Sequence, residues 1–277
     1  MIFDCFQFFN ELELLEIRLH ELSDVVDKFV LVEATRTHTG LRKSLWYEDN
    51  KLLFRNFYDK IIHVIVEDMP TTPEEIQAFL SSEGDGWIQS DYQYGGNWVR
   101  ERFQRNAIMR GLIDADPEDI VIIGDADEII RATVVEQLKN TIGDDIVSVD
   151  LALYSGYINL RCTNMPWWSG KILKKKLITT PSEDRFHTLG TRGIQNGGWH
   201  FNFLGGVEAI KTKVMSYAHQ EFNRQSVFEN LEKQLAEGKD VFGRDYLYKV
   251  VPIDESYPKY ILDNLDKFDH LIYKGKQ

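Results

Sequence analysis

Residues 120–130 read IVIIGDADEII, a run of β-branched and other apolar residues that stops abruptly at Asp125, Ala126, Asp127 and Glu128. A short continuous apolar run of this kind suits a strand buried on both faces, as in a parallel sheet covered by helices. The carboxylates then fall where the strand leaves the core, which is where open α/β sheets bind ligands. Two aspartates flanking one small residue can aim hard oxygen ligands at a single Mn²⁺ or Mg²⁺, and such a cation can hold the oxygens of a diphosphate. The same residues also suit a plain strand followed by a helix N-terminus, where acids act as caps and face the positive end of the helix dipole.

Outward from this strand, helical and strand patterns alternate. Leu12, Leu15, Leu19 and Leu22 recur at helical spacing and predict an amphipathic helix over residues 10–22. KFVLVEAT predicts a strand ending at Glu33, residues 44–57 a helical stretch, and DKIIHVIVED a strand ending at Glu67 and Asp68. Pro73 opens a helix at the position where its missing N–H costs nothing, and Asn97 to Leu112 predicts another. This order predicts one α/β domain over residues 1–277 with a mostly parallel central sheet. If the strands are parallel, Glu33, Asp68, Asp125 and Asp127 share one sheet edge and line a common crevice. Further on, DIVSVDLALYSGYINL and KILKKKLIT read as strands, and helical segments run to the C-terminus. Between them, GIQNGGWHFNFLGG (193–206) reads as a tight glycine-rich loop presenting Trp199 and His200.

The bulk numbers bound the function. A 43% hydrophobic fraction over 277 residues supports one continuous core. With 32 basic against 44 acidic residues the net charge is −12, which argues against general binding to nucleic acid or to an anionic membrane. A phosphorylated substrate therefore needs local arginines or a metal ion. The two cysteines, Cys5 and Cys162, have no disulfide or zinc-site spacing and read as small buried hydrophobes. No stretch approaches the roughly 18 apolar residues of a membrane span. Asp4, Glu11, Glu13 and Glu16 interrupt the apolar N-terminus and no basic segment precedes it, so no signal peptide is read there and a cytoplasmic location is expected.

Six segments in order carry a resemblance: FDCFQFFNELELLEIRLHEL, VEATRTHTG, WVRERFQRNAIMRGL, GDADEI, GGWHFNF and SYAHQEF. Together they resemble glycosyltransferase family 17, over roughly residues 1–240, and the combination is far more specific than a lone Asp-x-Asp. The resemblance implies a GT-A type, Rossmann-like nucleotide-sugar-binding fold. It also implies inverting, metal-dependent transfer of a sugar, GlcNAc from UDP-GlcNAc, to a glycan hydroxyl. The donor-binding half would be about residues 1–130 and the acceptor side about 131–277.

Residue roles follow from that resemblance and from chemistry. Asp127, with Asp125 directly or through water, would bind Mn²⁺ or Mg²⁺, and His219 in SYAHQEF would complete the shell. Glu33 and Arg36 would contact the nucleoside, and Asp68 stands at the next strand end. Arg100, Arg105 and Asn106 lie on the helix before the metal strand, and arginine is the natural bidentate partner of phosphate. Five residues of helix correspond to roughly 500° of turn, so Arg100 and Arg105 cannot both point one way and one is expected at the surface. Trp199 and His200 would shape the sugar pocket. Inverting displacement also needs a base for the acceptor proton, for which Glu208 is the first candidate and Glu221 the second.

Two other classes compete. A phosphatase of the haloacid dehalogenase type would use Asp125 as nucleophile, but there the motif falls in the first strand and is followed by Thr or Val, whereas Glu128 and Ile129 follow here. A non-catalytic carbohydrate-binding protein would account for the six tryptophans but has no need of an acidic turn after a buried strand.

Overall fold

In the computed structural model, which describes residues 1–83, 95–186 and 190–275, the apolar run forms β4 (Ile120–Asp125), buried along its length to Gly124. Its neighbour is β1 (Ile2–Phe8), formed by the apolar N-terminus, for which no strand was expected. On the other side of β1 lies β2 (Lys28–Ala34) and then β3 (Ile61–Val66), all parallel, in the order β3-β2-β1-β4. The registers pair Gln7 with Asp125 and Phe8 with Glu33, so these strands end at one edge.

Helices cover both faces because each carries one apolar stripe. Leu15, Leu19 and Leu22 of α1 (Leu12–Leu22) pack with Phe6, Phe8, Phe29 and Ile122. Tyr47 from α2 (Trp46–Asn50) and Phe54 and Phe57 from the 3-10 turn that follows join them. On the other face Ala107, Ile108 and Leu112 meet Cys5, Val30, Val32, Val121 and Ile123. The helix expected over 97–112 is broken at Ala107 into α4 (Asn97–Asn106) and α5 (Ile108–Gly111). The Pro73 helix is α3 (Pro73–Glu83).

Past β4 the sheet turns antiparallel. β4 pairs with β8 (Trp167–Lys174), which pairs with β6 (Val147–Ser155), then β7 (Leu160–Cys162) and β10 (Tyr248–Val250). The longest ladders of this mixed sheet are nonetheless parallel. Short helices α6 (Ala132–Leu138) and α7 (Pro181–Asp184), then α8 (Gly206–Ser216), α9 (Gln225–Ala236) and α10 (Lys259–Asp263), complete the fold.

The glycine-rich segment is a strand instead of the expected loop: β9 (Arg192–Asn202) runs parallel to β6 and antiparallel to β5 (Glu128–Ile130). Its glycines permit close approach of neighbouring strands. A Cβ on Gly198 would stand 2.1 Å from the Ile129 carbonyl oxygen, and one on Gly197 would stand 2.1 Å from Val149 Cγ1. Among the described residues, no helix is long and apolar enough to cross a membrane.

After β3 the chain returns to the far side of β1 to form β4, so the strand order reverses between β1 and β4. A crevice at the carboxyl ends of these two strands is the expected ligand site of such a sheet.

Candidate active site

A cavity of about 530 Å³ opens at that crevice. Gln7, Phe8 and Phe9 line it at the end of β1, Arg36, Thr37 and His38 after β2, and Asp125, Ala126 and Asp127 at the end of β4. Lys213 of α8 and, beyond it, His219 and Glu221 also line it. The volume is in the range of small-molecule sites, roughly 300–1,000 Å³.

The acidic turn is fixed from below by a residue the sequence reading missed. Arg18 of α1 is fully buried and makes a bidentate pair with Asp4 of β1, Nε to Oδ2 at 2.7 Å and Nη2 to Oδ1 at 2.6 Å. Its Nη1 donates to the carbonyls of Asp125 at 2.8 Å and Glu128 at 2.7 Å. Glu128, also missed and buried, braces the turn from the side. Its carboxylate accepts from the Asp125 backbone N–H at 3.1 Å, the Trp167 indole at 2.8 Å, the Ser169 hydroxyl at 2.6 Å and Arg185 Nη2 at 2.6 Å.

Each aspartate side chain faces cations. Asp125 Oδ1 accepts from Arg105 Nη2 at 2.8 Å and Oδ2 from Arg185 Nη2 at 3.3 Å. Asp127 Oδ2 accepts from Lys213 Nζ at 2.7 Å, and Oδ1 lies 3.5 Å from His200 Nε2. Burial pushes both carboxyls up, but Arg105 and Arg185 hold Asp125, and Lys213 and His200 hold Asp127, well below the usual carboxylate range. Burial lowers the Lys213 ammonium, yet Asp127 and Glu11 outweigh it and raise it above its ordinary value.

This arrangement does not fit the expected Mn²⁺ or Mg²⁺ centre. All four side-chain oxygens of Asp125 and Asp127 already face a basic group. Among the described residues no three His, Cys, Asp or Glu side chains stand together as a metal shell requires. His219 instead bonds through Nδ1 to Glu221 at 2.7 Å, with its ring edge-on to Trp98.

The other residues singled out divide cleanly. Arg36, Arg105, Asp125, Asp127, His200, His219 and Glu221 line the cavity. Glu33 is the penultimate residue of β2, which runs one residue past the expected end, and it turns behind the wall, accepting from Tyr47 N–H at 3.2 Å and pairing with His63 at 3.1 Å and Lys43 at 3.5 Å. Asp68 is exposed and bound to Arg110 at 2.8 and 2.9 Å, away from the crevice. Arg100 and Arg105 do point apart, but both are buried, so neither is the expected surface residue. Arg100 spends its donors on the carbonyls of Pro70, His38 and Gly95. Asn106 accepts from the Ser182 backbone N–H at 3.0 Å. Trp199 is on the opposite face of β9 from His200, because side chains alternate along a strand. It is buried against Ile129, Tyr154 and Tyr257, and its indole donates to Ser256 O at 3.1 Å. Glu208 faces solvent on α8, paired with Lys211 at 2.7 Å. The wall thus draws on both halves of the chain, since Arg185, His200 and Lys213 all meet the acidic turn from beyond residue 130.

The sequence profile of glycosyltransferase family 17 matches residues 1–276. The chain belongs to this family. Similar curated proteins are the β-1,4-mannosyl-glycoprotein 4-β-N-acetylglucosaminyltransferases of Homo sapiens and Rattus norvegicus, each 25% identical over 301 residues. These alignments take in 95% of this family 17 chain and 53% of the relative, so the chain spans about half the length of the curated relatives it matches. Among solved structures, 4-diphosphocytidyl-2C-methyl-D-erythritol synthase from Anaerococcus prevotii is similar at a TM-score of 0.36 and 14% identity, covering 80% of this chain and 98% of that one. Mouse xyloside xylosyltransferase 1 is similar at 0.26 and 13%, covering 55% and 52%.

Proposed function

We propose that this family 17 chain transfers GlcNAc from UDP-GlcNAc to a hydroxyl of a glycan acceptor, with inversion at the anomeric carbon. The observation that carries the reading is the cavity at the strand-order reversal between β1 and β4, on whose wall Asp125 and Asp127 stand among basic side chains, in a chain that belongs to a glycosyltransferase family. The donor sugar is taken from the named activity of the curated relatives.

In the displacement, the acceptor oxygen bonds to the anomeric carbon while the bond from that carbon to the diphosphate oxygen breaks. The acceptor proton passes to the Glu221–His219 pair, a hydrogen-bonded carboxylate and imidazole that line the same cavity as Asp125 and Asp127. Glu208 lies outside the cavity, which favours Glu221 for this role. The basic groups on the wall stabilise the departing diphosphate.

The test is transfer of radiolabelled GlcNAc from UDP-GlcNAc to a panel of mannose-containing glycans. Glu221→Gln is expected to lower the rate by roughly two to four decades while donor affinity stays within threefold of wild type, the mark of a group that acts only as the acceptor is deprotonated. Normal transfer by this variant would move the base elsewhere, and donor hydrolysis or transfer with another nucleotide sugar alone would replace UDP-GlcNAc.

A further inference from the structure

We propose that Arg105 and Arg185 form a two-armed site that takes the donor's diphosphate directly on their guanidinium groups, with no divalent cation interposed. The proposal rests on the nucleotide-sugar reading of the cavity and deepens it.

Two guanidinium groups from distant segments converge on one carboxylate. Arg105 of α4 and Arg185, just past α7, reach opposite oxygens of Asp125 and are only 4% and 7% exposed. Each is anchored from behind, Arg105 by Glu101 through Nε at 2.9 Å and Arg185 by Glu128 at 2.6 Å. Anchoring fixes the forks before any ligand arrives, so little side-chain freedom is lost on binding.

Yet the donors are not used up. Arg105 Nη1 and Arg185 Nε are buried without a hydrogen-bond partner, as are Gln7 Oε1, Glu101 Oε2, His200 Nδ1 and Tyr217 OH, and all six residues line the cavity. Buried polar groups are nearly always satisfied, so orphans of both kinds on one cavity wall point to a polar ligand from outside, and the two guanidinium N–H donors call for an acceptor on it. The acceptor that matches planar guanidinium forks is a phosphate oxygen, and two arginines match two linked phosphoryl groups.

The same geometry removes the need for a bridging cation. Asp125 and Asp127 hold the basic groups in place, with Lys213 on Asp127 completing the set. A divalent ion would have to displace at least one of these partners before it could reach a carboxylate oxygen. Six Lys and Arg side chains line the cavity against five Asp and Glu, whereas the whole chain carries a net charge of −12. The cavity is therefore where this acidic chain can receive a diphosphate.

The experiment is calorimetric titration of UDP, uridine and inorganic pyrophosphate into wild type, Arg105→Gln, Arg185→Gln and Arg185→Lys in excess EDTA, with UDP repeated in Mn²⁺. Circular dichroism identifies any variant that fails to fold, and Arg185→Lys, which keeps the charge but loses the fork, then decides. Wild type is expected to bind UDP in EDTA, with Mn²⁺ changing the affinity by less than threefold. Each glutamine variant should weaken UDP and pyrophosphate by roughly tenfold or more, and the lysine variant by several-fold, while uridine is unaffected. UDP binding that appears only with Mn²⁺ overturns the proposal and leaves the nucleotide reading standing, as does wild-type affinity for UDP in a folded variant. If wild type binds neither UDP nor uridine, the nucleotide reading fails; pyrophosphate binding that is lost in the variants then supports the arginine site, and no pyrophosphate binding overturns it.

Discussion

Replacing Arg18 with methionine tests the platform under the acidic turn. Removing one partner of a buried ion pair leaves the other charge without compensation, at about 3–5 kcal/mol. Here Asp4 would be stranded at 0% exposure. The carbonyls of Asp125 and Glu128 would also lose their donor, each at about 1–3 kcal/mol if no water replaces it. These losses share one cavity and do not simply add, so Arg18→Met is expected to destabilise by about 4–6 kcal/mol in urea unfolding, lowering Tm by roughly 10–20 °C. The double variant Arg18→Met/Asp4→Leu separates the two sources. It removes the stranded charge but not the orphaned carbonyls, so it should recover about half of the loss. A single variant within about 1 kcal/mol of wild type would refute the reasoning, because a buried bidentate pair would then be energetically idle. A double variant no more stable than the single would show that Asp4 is not where the cost arises.

Asp127→Asn should reveal the pH window of the Asp127–Lys213 pair. The Asp127 carboxyl is depressed on folding, so its contribution is complete above the unfolded value near 3.9 and lost as pH falls through the folded one. The Lys213 ammonium is raised, so its contribution is complete below the unfolded value near 10.4 and lost as pH rises through the folded one. Wild type should therefore exceed the variant by on the order of 2 kcal/mol across neutral pH, with the gap beginning to narrow only as pH falls below about 4 in denaturant titrations; a gap that widens on acidification would contradict the pairing. Gly198→Ala should cost about 2–3 kcal/mol or more, because the new methyl meets backbone, the Ile129 carbonyl oxygen at 2.1 Å, which has no rotamer to yield. Thermal unfolding at the wild-type midpoint would speak against the close-packed strand.

The parallel part of the sheet was legible because burial and periodicity are local properties. β2, β3 and β4 are short apolar runs, α1 is a leucine stripe, and Pro73 marks its own helix start. β1 was hidden because Asp4 and Gln7 interrupt its apolar run and its hydrophobic residues merge with those that follow. Asp4 is inside only because Arg18 meets it, and that partner is visible in one-dimensional form: Arg18 stands three residues after Leu15 and four before Leu22, on the buried stripe of α1. A charge at a core position of a helix, facing a charge within an apolar strand, is a pattern that sequence can offer. The glycines of β9 misled for the opposite reason, since a glycine that permits a turn and one that permits close strand packing are the same residue in sequence.

The acidic turn carries the same ambiguity at the level of chemistry. Asp-Ala-Asp at a strand end states that four carboxylate oxygens will converge, but not which positive charge they will meet. Arg105 is 20 residues before Asp125, whereas Arg185 lies 60 residues after it and Lys213 lies 86 after Asp127, so no local spacing links them. Both occupants satisfy the same electrostatic demand, and they differ in consequence. A divalent ion leaves the carboxylates with the ligand and departs under chelation, whereas guanidinium groups fixed by Glu101 and Glu128 stay with the fold. In the second case Glu128 belongs to the site proposed above as much as either aspartate does, since it braces Arg185 and the Asp125 backbone at once. That is a physical reason for the acidic run to continue one residue beyond the aspartate pair.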